Sequence, residues 1–162
     1  QPRRQRQMCI RDSIRIESDS LKPNEIEKKL KDVSGVLIPG GFGKRGTEGK
    51  IAAVNFSRKN KIPFLGICFG MQMAVIEFAR NKLNIKKATS SEFGPSKASV
   101  IGLMSEWSKD GKLIKGTNKK LGGTMRLGSY EARLKKDTKI SKIYNSLKIH
   151  ERHRHRLSLI HI

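Results

Sequence analysis

Two apolar runs, "GVLIPGG" from Gly35 to Gly41 and "IPFLGI" from Ile62 to Ile67, each lead into a glycine turn and then a helical pattern. A short run with no polar alternation, bounded by Pro and Gly, reads as a strand buried on both faces. In "TEGKIAAVNFSRKN", Ile51, Val54 and Arg58 stand at helical spacing. In "MQMAVIEFARNKL", Met71, Ala74, Val75, Phe78, Ala79 and Lys82 fall on one helical stripe, with only the lysine out of character. Strand, helix, strand, helix in that order makes neighbouring strands parallel, so the expected class is α/β, with helices on both faces of a mostly parallel sheet.

Upstream, "KPNEIEKKLKD" reads as a helix with Ile26 and Leu30 on one face, and "IRIES" as a strand remnant. After Thr89 the texture changes. "ASVIGLM", "GKLIKG" and "TMRLGSYEARL" read as shorter strands with a turn at Lys109, Asp110 and Gly111, "SKIYNSL" as a short helix, and "KIHERHRHR" as an extended segment.

The two ends stand apart. "LSLIHI" back-translates to CTGTCTCTTATACACATC, which resembles the transposon end of a sequencing library, and "RRQRQMCIRDS" back-translates to that library's primer tail followed by the reverse complement of the same end. Residues 1–13 and 157–162 are therefore expected to be adapter-derived, and residues 14–156 to carry the domain.

The formal charge is +21. Part of it sits in the head, where Arg3, Arg4, Arg6 and Arg11 face only Asp12. The remaining lysines are scattered, neither forming a stripe nor interleaving with aromatics, so a nucleic-acid partner is not expected. Cys9 lies in the head, which leaves Cys68 as the domain's cysteine. No disulfide is then possible within it, as suits a reducing cytoplasm. No apolar run approaches the roughly 20 residues of a membrane span.

Cys68 sits in Gly66-Ile67-Cys68-Phe69-Gly70, after a strand and before a helix. That is the arrangement of a nucleophile elbow. The nucleophile occupies a strained turn, and the flanking glycines remove Cβ atoms that would collide across it. At a helix N-terminus the dipole favours an anion, and the Phe69 N–H is placed to meet an oxyanion. The plainer alternative is a small buried cysteine at a strand end. Nearby, "GFGKRG" from Gly41 to Gly46 matches the dinucleotide-binding fingerprint. That reading needs an acid at the end of the next strand, where this chain has Gly66-Ile67-Cys68. Beside the elbow, "PGGFG" from Pro39 to Gly43 reads better as a glycine loop whose amides complete an oxyanion hole.

"LIPGGFGKRGTEGKI", "KIPFLGICFGMQMAVIEFAR", "SSEFGP", "LGGTMRLG" and "ERHRHR" resemble the glutamine amidotransferase domain of the CTP synthase family, from about Ser34 to Arg156. The resemblance implies a flavodoxin-like class I (triad) amidotransferase domain that hydrolyses glutamine and passes ammonia to a synthase domain, where UTP is aminated with ATP and magnesium. It implies Cys68 as nucleophile; Gly41 and Phe69 as oxyanion and substrate positions; Gly70, Met71 and Gln72 as the continuing binding turn; Glu92 for the substrate's amino group; and Arg156 for its carboxylate. It also implies no cofactor or metal in this domain, a synthase domain on the N-terminal side, a homo-tetramer and a cytoplasmic location. The family's triad further needs a His-x-Glu segment, typically His-Pro-Glu. No histidine here is followed by proline, so the triad His and Glu are absent and the 162-residue stretch is expected to be inactive.

Three other readings remain open beside it: the glutaminase domain of a different class I amidotransferase, a nucleotide-binding oxidoreductase, and a basic nucleotide- or polyanion-binding module. On a strand, His153 and His155 share a face with Glu151 while Arg152, Arg154 and Arg156 take the other, too cationic a setting for a metal. The roles of Arg126 and Arg154 are not legible, and Trp107 reads as packing near a turn.

Overall fold

The computed structural model describes residues 13–22, 24–104, 106–109, 112–115 and 126–159. The chain divides into two compact units, residues 1–88 and 89–162.

In the first unit, a short helix α1 (Ile26–Leu30) precedes strand β1 (Val36–Ile38), helix α2 (Thr47–Lys59), strand β2 (Phe64–Gly66) and helix α3 (Phe69–Asn81). β1 and β2 pair in parallel, with Val36 opposite Phe64, Leu37 opposite Leu65 and Ile38 opposite Gly66. The core gathers Ile26 and Leu30 of α1, Ile38 of β1, and Ala53 and Val54 of α2, with Val36, Phe64 and Ala74 packed against it. The helical stripes of α1 and α2 bury as expected: Ile26, Leu30, Ile51 and Val54 are all in the interior.

The stripe expected on α3 is rotated. Phe69, Gln72, Met73, Ile76, Glu77 and Ala79 are buried, whereas Met71 and Phe78 face outward. "FGMQMAVIEFARN" is apolar on most of its circumference, so periodicity alone leaves the phase open. A polar clamp to α2 sets it. Glu77, 1% exposed, accepts hydrogen bonds from Asn55 Nδ2 (2.8 Å), Arg58 Nη2 (2.8 Å), Arg58 Nε (3.0 Å) and Asn81 Nδ2 (3.0 Å). Burial by itself would raise the Glu77 carboxyl, but the hydrogen bonds from Arg58, Asn55 and Asn81 and the Arg58 charge outweigh it and hold the group below the ordinary carboxylate range. This is why Arg58 belongs on the inward stripe of α2.

"IRIES" is not a strand. Ile16 packs on the core, no ladder forms along the segment, and Ser18–Ser20 makes a single 3-10 turn.

The second unit holds three sheets among the described residues. Strand β3 (Thr89–Ser90) pairs in parallel with β4 (Ser99–Leu103), β5 (Glu106–Lys109) pairs with β6 (Lys112–Lys115), and the long β7 (Arg126–Arg133) pairs with β8 (Lys148–His155), the last two antiparallel. Helix α4 (Lys139–Tyr144) joins β7 to β8 and is capped by Thr138 Oγ1, which accepts from the Ser141 N–H at 3.3 Å. Leu157–Leu159 forms β9, antiparallel to β4 with Ile101 opposite Leu159. These three residues fall in the stretch expected to be adapter-derived. The turn residues Asp110 and Gly111 and the Trp107 side chain lie outside the described residues, as do residues 1–12 and 116–125.

Candidate active site

Cys68 is the N-cap of α3, with φ 53° and ψ −102°. A side-chain-bearing residue avoids this conformation unless its surroundings impose it. Three contacts impose it here. The Ile67 N–H donates to the Ile38 carbonyl at 2.9 Å, which carries the β1–β2 ladder to the residue before the turn. The Gly70 N–H donates to the Ile67 carbonyl at 2.9 Å, and the Gln72 N–H to the Cys68 carbonyl at 3.2 Å, closing the turn into the helix. Both glycines are sterically required. A Cβ on Gly66 would lie 2.6 Å from the Gly70 carbonyl carbon, and one on Gly70 would overlap the Ile38 carbonyl oxygen.

The strand-end loop after β1 runs alongside. A Cβ on Gly40 would stand 3.6 Å from Cys68 Cβ, and one on Gly41 would stand 3.7 Å from Phe69 Cδ1. The structure thus brings Gly41, Cys68, Phe69 and Gly70 together, and within the same glycine loop it sets Gly40, which had not been named as a site residue, against Cys68. The loop then turns through Gly43 (φ 83°) and Gly46 (φ 65°), the latter capping α2, so the fingerprint-like glycines serve loop and cap geometry. Cys68 is a half-buried free thiol. The Phe69 ring is buried, with Lys50 Nζ 5.6 Å from its centroid. Met71 is exposed, and Gln72 is buried with its Oε1 lacking a hydrogen-bond partner.

Glu92 and Arg156 belong to the second unit. Glu92 lies in a 3-10 turn directly after β3, its N–H donating to Ser90 Oγ at 3.2 Å. Arg156 lies between β8 and β9; its carbonyl accepts from the Met104 N–H at 3.0 Å, and its buried Nε has no hydrogen-bond partner. Because β4 lies between β3 and β9, the two residues flank it from opposite sides.

On the β7–β8 hairpin, the register sets Glu151, His153 and His155 opposite Tyr130, Gly128 and Arg126, with Arg152 and Arg154 on the other face. Arg126 stacks on the Tyr130 ring at 4.1 Å, and its Nε is also buried without a partner. The His153 and His155 Nδ1 atoms approach to 3.1 Å. Burial, helped by the Arg126 and His155 charges, lowers the His153 pKa. Among the described residues no group of three or more His, Cys, Asp and Glu side chains could hold a metal. A depression of about 460 Å³ on this hairpin, lined by Leu127, Gly128, Arg152, His153 and Arg154, contains none of the candidate site residues.

The profile of the family described as glutamine amidotransferase class-I matches residues 7–161. The chain is 69% identical over 143 residues to a CTP synthase of Pelagibacter ubique (strain HTCC1062), covering 88% of this chain and 27% of that protein. It is 58% identical over 142 residues to a CTP synthase of Rhizobium etli (strain CIAT 652), covering 87% and 26%. Among solved structures, the glutaminase domain of Trypanosoma brucei CTPS with bound acivicin is similar at 35% identity and a TM-score of 0.79, over 96% of this chain and 58% of that one. The chain therefore spans about a quarter of the length of these curated relatives. No described helix is long and apolar enough to cross a membrane. With its strand–helix elbow, glycine loop and family match over nearly its whole length, the chain belongs to the class I glutamine amidotransferases.

Proposed function

We propose that this chain is the glutaminase part of a CTP synthase, which hydrolyses glutamine and supplies the ammonia that aminates UTP to CTP. The observation that carries the reading is Cys68, held at φ 53° between Gly66 and Gly70 with the Gly40–Gly41 loop beside it. The Cys68 thiolate attacks the side-chain amide carbon of glutamine. The carbonyl π electrons move to oxygen, and the main-chain amides of Gly41 and Phe69 hold that oxyanion. Collapse of the adduct breaks the C–N bond, ammonia leaves after taking a proton, and water cleaves the thioester to glutamate. Gly70, Met71 and Gln72 continue the binding turn. Arg156, whose buried Nε lacks a partner, takes the substrate carboxylate, and Glu92 takes its amino group.

The proton transfers need a general base, which the family draws from a His-x-Glu segment. The stretch of 162 residues contains none, so this reading makes it inactive in isolation. ATP and magnesium belong to the synthase part, and the intact enzyme is read as a cytoplasmic homo-tetramer.

The test is Cys68→Ala in the intact protein, assayed for CTP with glutamine and with ammonium salt as alternative nitrogen sources. Loss of the glutamine-dependent reaction with the ammonia-dependent one retained supports the reading. Equal activity of variant and wild type with glutamine refutes it.

A further inference from the structure

One lysine ties together the start of α2. Lys50 Nζ donates to Ser18 Oγ at 2.9 Å, to the Arg45 carbonyl at 3.3 Å and to the Gly46 carbonyl at 3.4 Å. An ammonium has three N–H donors, and these acceptors can engage all three. The same ammonium stands over the Phe69 ring, 5.6 Å from its centroid, within the range of a cation–π contact. A single side chain thus joins three segments: the Ser18–Ser20 turn, the far end of the glycine loop and the first residue of α3.

The segments are closely packed. A Cβ on Gly46 would overlap Ser18 Oγ, and one on Gly49 would overlap the Ser18 carbonyl oxygen, so the 3-10 turn sits directly on the bare start of α2. Asp19 of that turn pairs with Arg45. Phe69 is buried, and its Cδ1 is the atom that a Cβ on Gly41 would meet at 3.7 Å. The ring therefore touches Lys50 and also lies against Gly41. Gly43 and Gly46 both take positive φ, and a loop rich in glycine has wide conformational freedom. The spacing of its amides from the elbow must then be set by what grips its two ends. The near end leaves β1, whose ladder runs on to Ile67, and Lys50 grips the far end.

We infer that Lys50 is a positioning residue for glutamine hydrolysis: by gripping the glycine loop and the Phe69 ring together, it sets the distance between the Gly41 and Phe69 amides that receive the oxyanion. The inference rests on reading Cys68 as a glutaminase nucleophile. Oxyanion donors act in the transition state, so displacing them lowers kcat and leaves KM alone.

The test is Lys50→Met in the intact protein, which keeps the aliphatic stem and loses the donors and the charge. With glutamine, kcat is expected to fall roughly tenfold, short of the hundredfold or more that loss of a whole oxyanion donor costs. KM for glutamine should stay within about twofold, and the rate with ammonium salt should not change. Lys50→Arg, which keeps a cation over the ring, should retain kcat within about threefold. Phe69→Leu keeps the main-chain amide but removes the ring; in that background Lys50→Met should alter kcat by less than about twofold, because the two changes act on one contact. Unchanged kcat in Lys50→Met, a raised KM at constant kcat, or an equal fall with ammonium overturns the inference. So does a Lys50→Arg variant as slow as Lys50→Met, or a Lys50→Met effect undiminished by Phe69→Leu. Should Lys50→Met yield no folded protein, Lys50→Gln, which keeps amide donors and drops the charge, is read against the same two nitrogen sources. Failure of the glutaminase reading would appear as wild-type protein that releases no ammonia from glutamine. Failure of this inference alone leaves the wild type active and the variants equal to it.

Discussion

The clamp between α2 and α3 makes an asymmetric prediction. Glu77 is 1% exposed and Arg58 28% exposed, at 2.8 Å. Removing Glu77 takes away the acceptor of all four hydrogen bonds of the clamp. The donors left behind, on Arg58, Asn55 and Asn81, are on half-buried or exposed side chains that can turn to water. Glu77→Ala is therefore expected to cost about 2 to 3 kcal/mol, less than the sum of the bonds it loses. Removing Arg58 strands a carboxylate in the interior with only Asn55 and Asn81 beside it, which costs about 3 to 5 kcal/mol. Arg58→Ala should therefore be the worse variant although its side chain is the more exposed. The pH dependence should also reverse. In the wild type the folded-state pKa of Glu77 is lowered, so its contribution is present above the unfolded pKa and fades as the pH falls through the folded value. In Arg58→Ala, desolvation dominates and raises that pKa, so the defect should ease on acidification as the buried carboxyl takes up a proton. Hydrogen exchange of the α3 amides in the intact protein measures both. Acceleration of about a hundredfold or more is expected for Arg58→Ala and about tenfold to a hundredfold for Glu77→Ala, at 1.4 kcal/mol per decade. If Glu77→Ala proves the more damaging, or if the double variant shows the two to be additive, the clamp does not work as described.

Gly66→Ala should abolish the elbow, because its Cβ would meet backbone on three atoms of the turn; loss of folded yield and of glutamine-dependent activity is expected. Gly43→Ala, at φ 83° with open space around the added Cβ, should cost only the backbone strain, about 1 kcal/mol, read as a small drop in Tm. His153 should titrate below the ordinary histidine value in an NMR pH titration. Because the unfolded state then binds its proton first, the hairpin should lose stability as the pH falls from about 6.5 through the folded value. Arg126→Met should loosen Tyr130 by about 0.5 to 2 kcal/mol through loss of the stacked guanidinium, seen as faster exchange along β7.

How much of this was legible in the sequence differs from element to element. The run "IPFLGICFG" pointed to a strand, a strained turn and a helix without reference to anything distant, because an apolar run precedes a cysteine flanked by glycines, whose missing Cβ atoms permit the close approach such a turn needs. The inward stripes of α1 and α2 were legible for the same local reason: each helix has one apolar face, and it contains Ile26 and Leu30, or Ile51 and Val54. The phase of α3 was not. Its sequence is apolar nearly all round, and only the neighbouring helix, through Asn55 and Arg58 closing on Glu77, selects Met73 and Ile76 rather than Met71 and Phe78 for the interior. The approach of Gly40 to Cys68 and the stacking of Arg126 on Tyr130 likewise depend on where strands end relative to one another. Local chemistry determined the turn that strains Cys68. Packing between elements decided which side of each apolar segment the core took, since a run without polar residues carries no phase of its own.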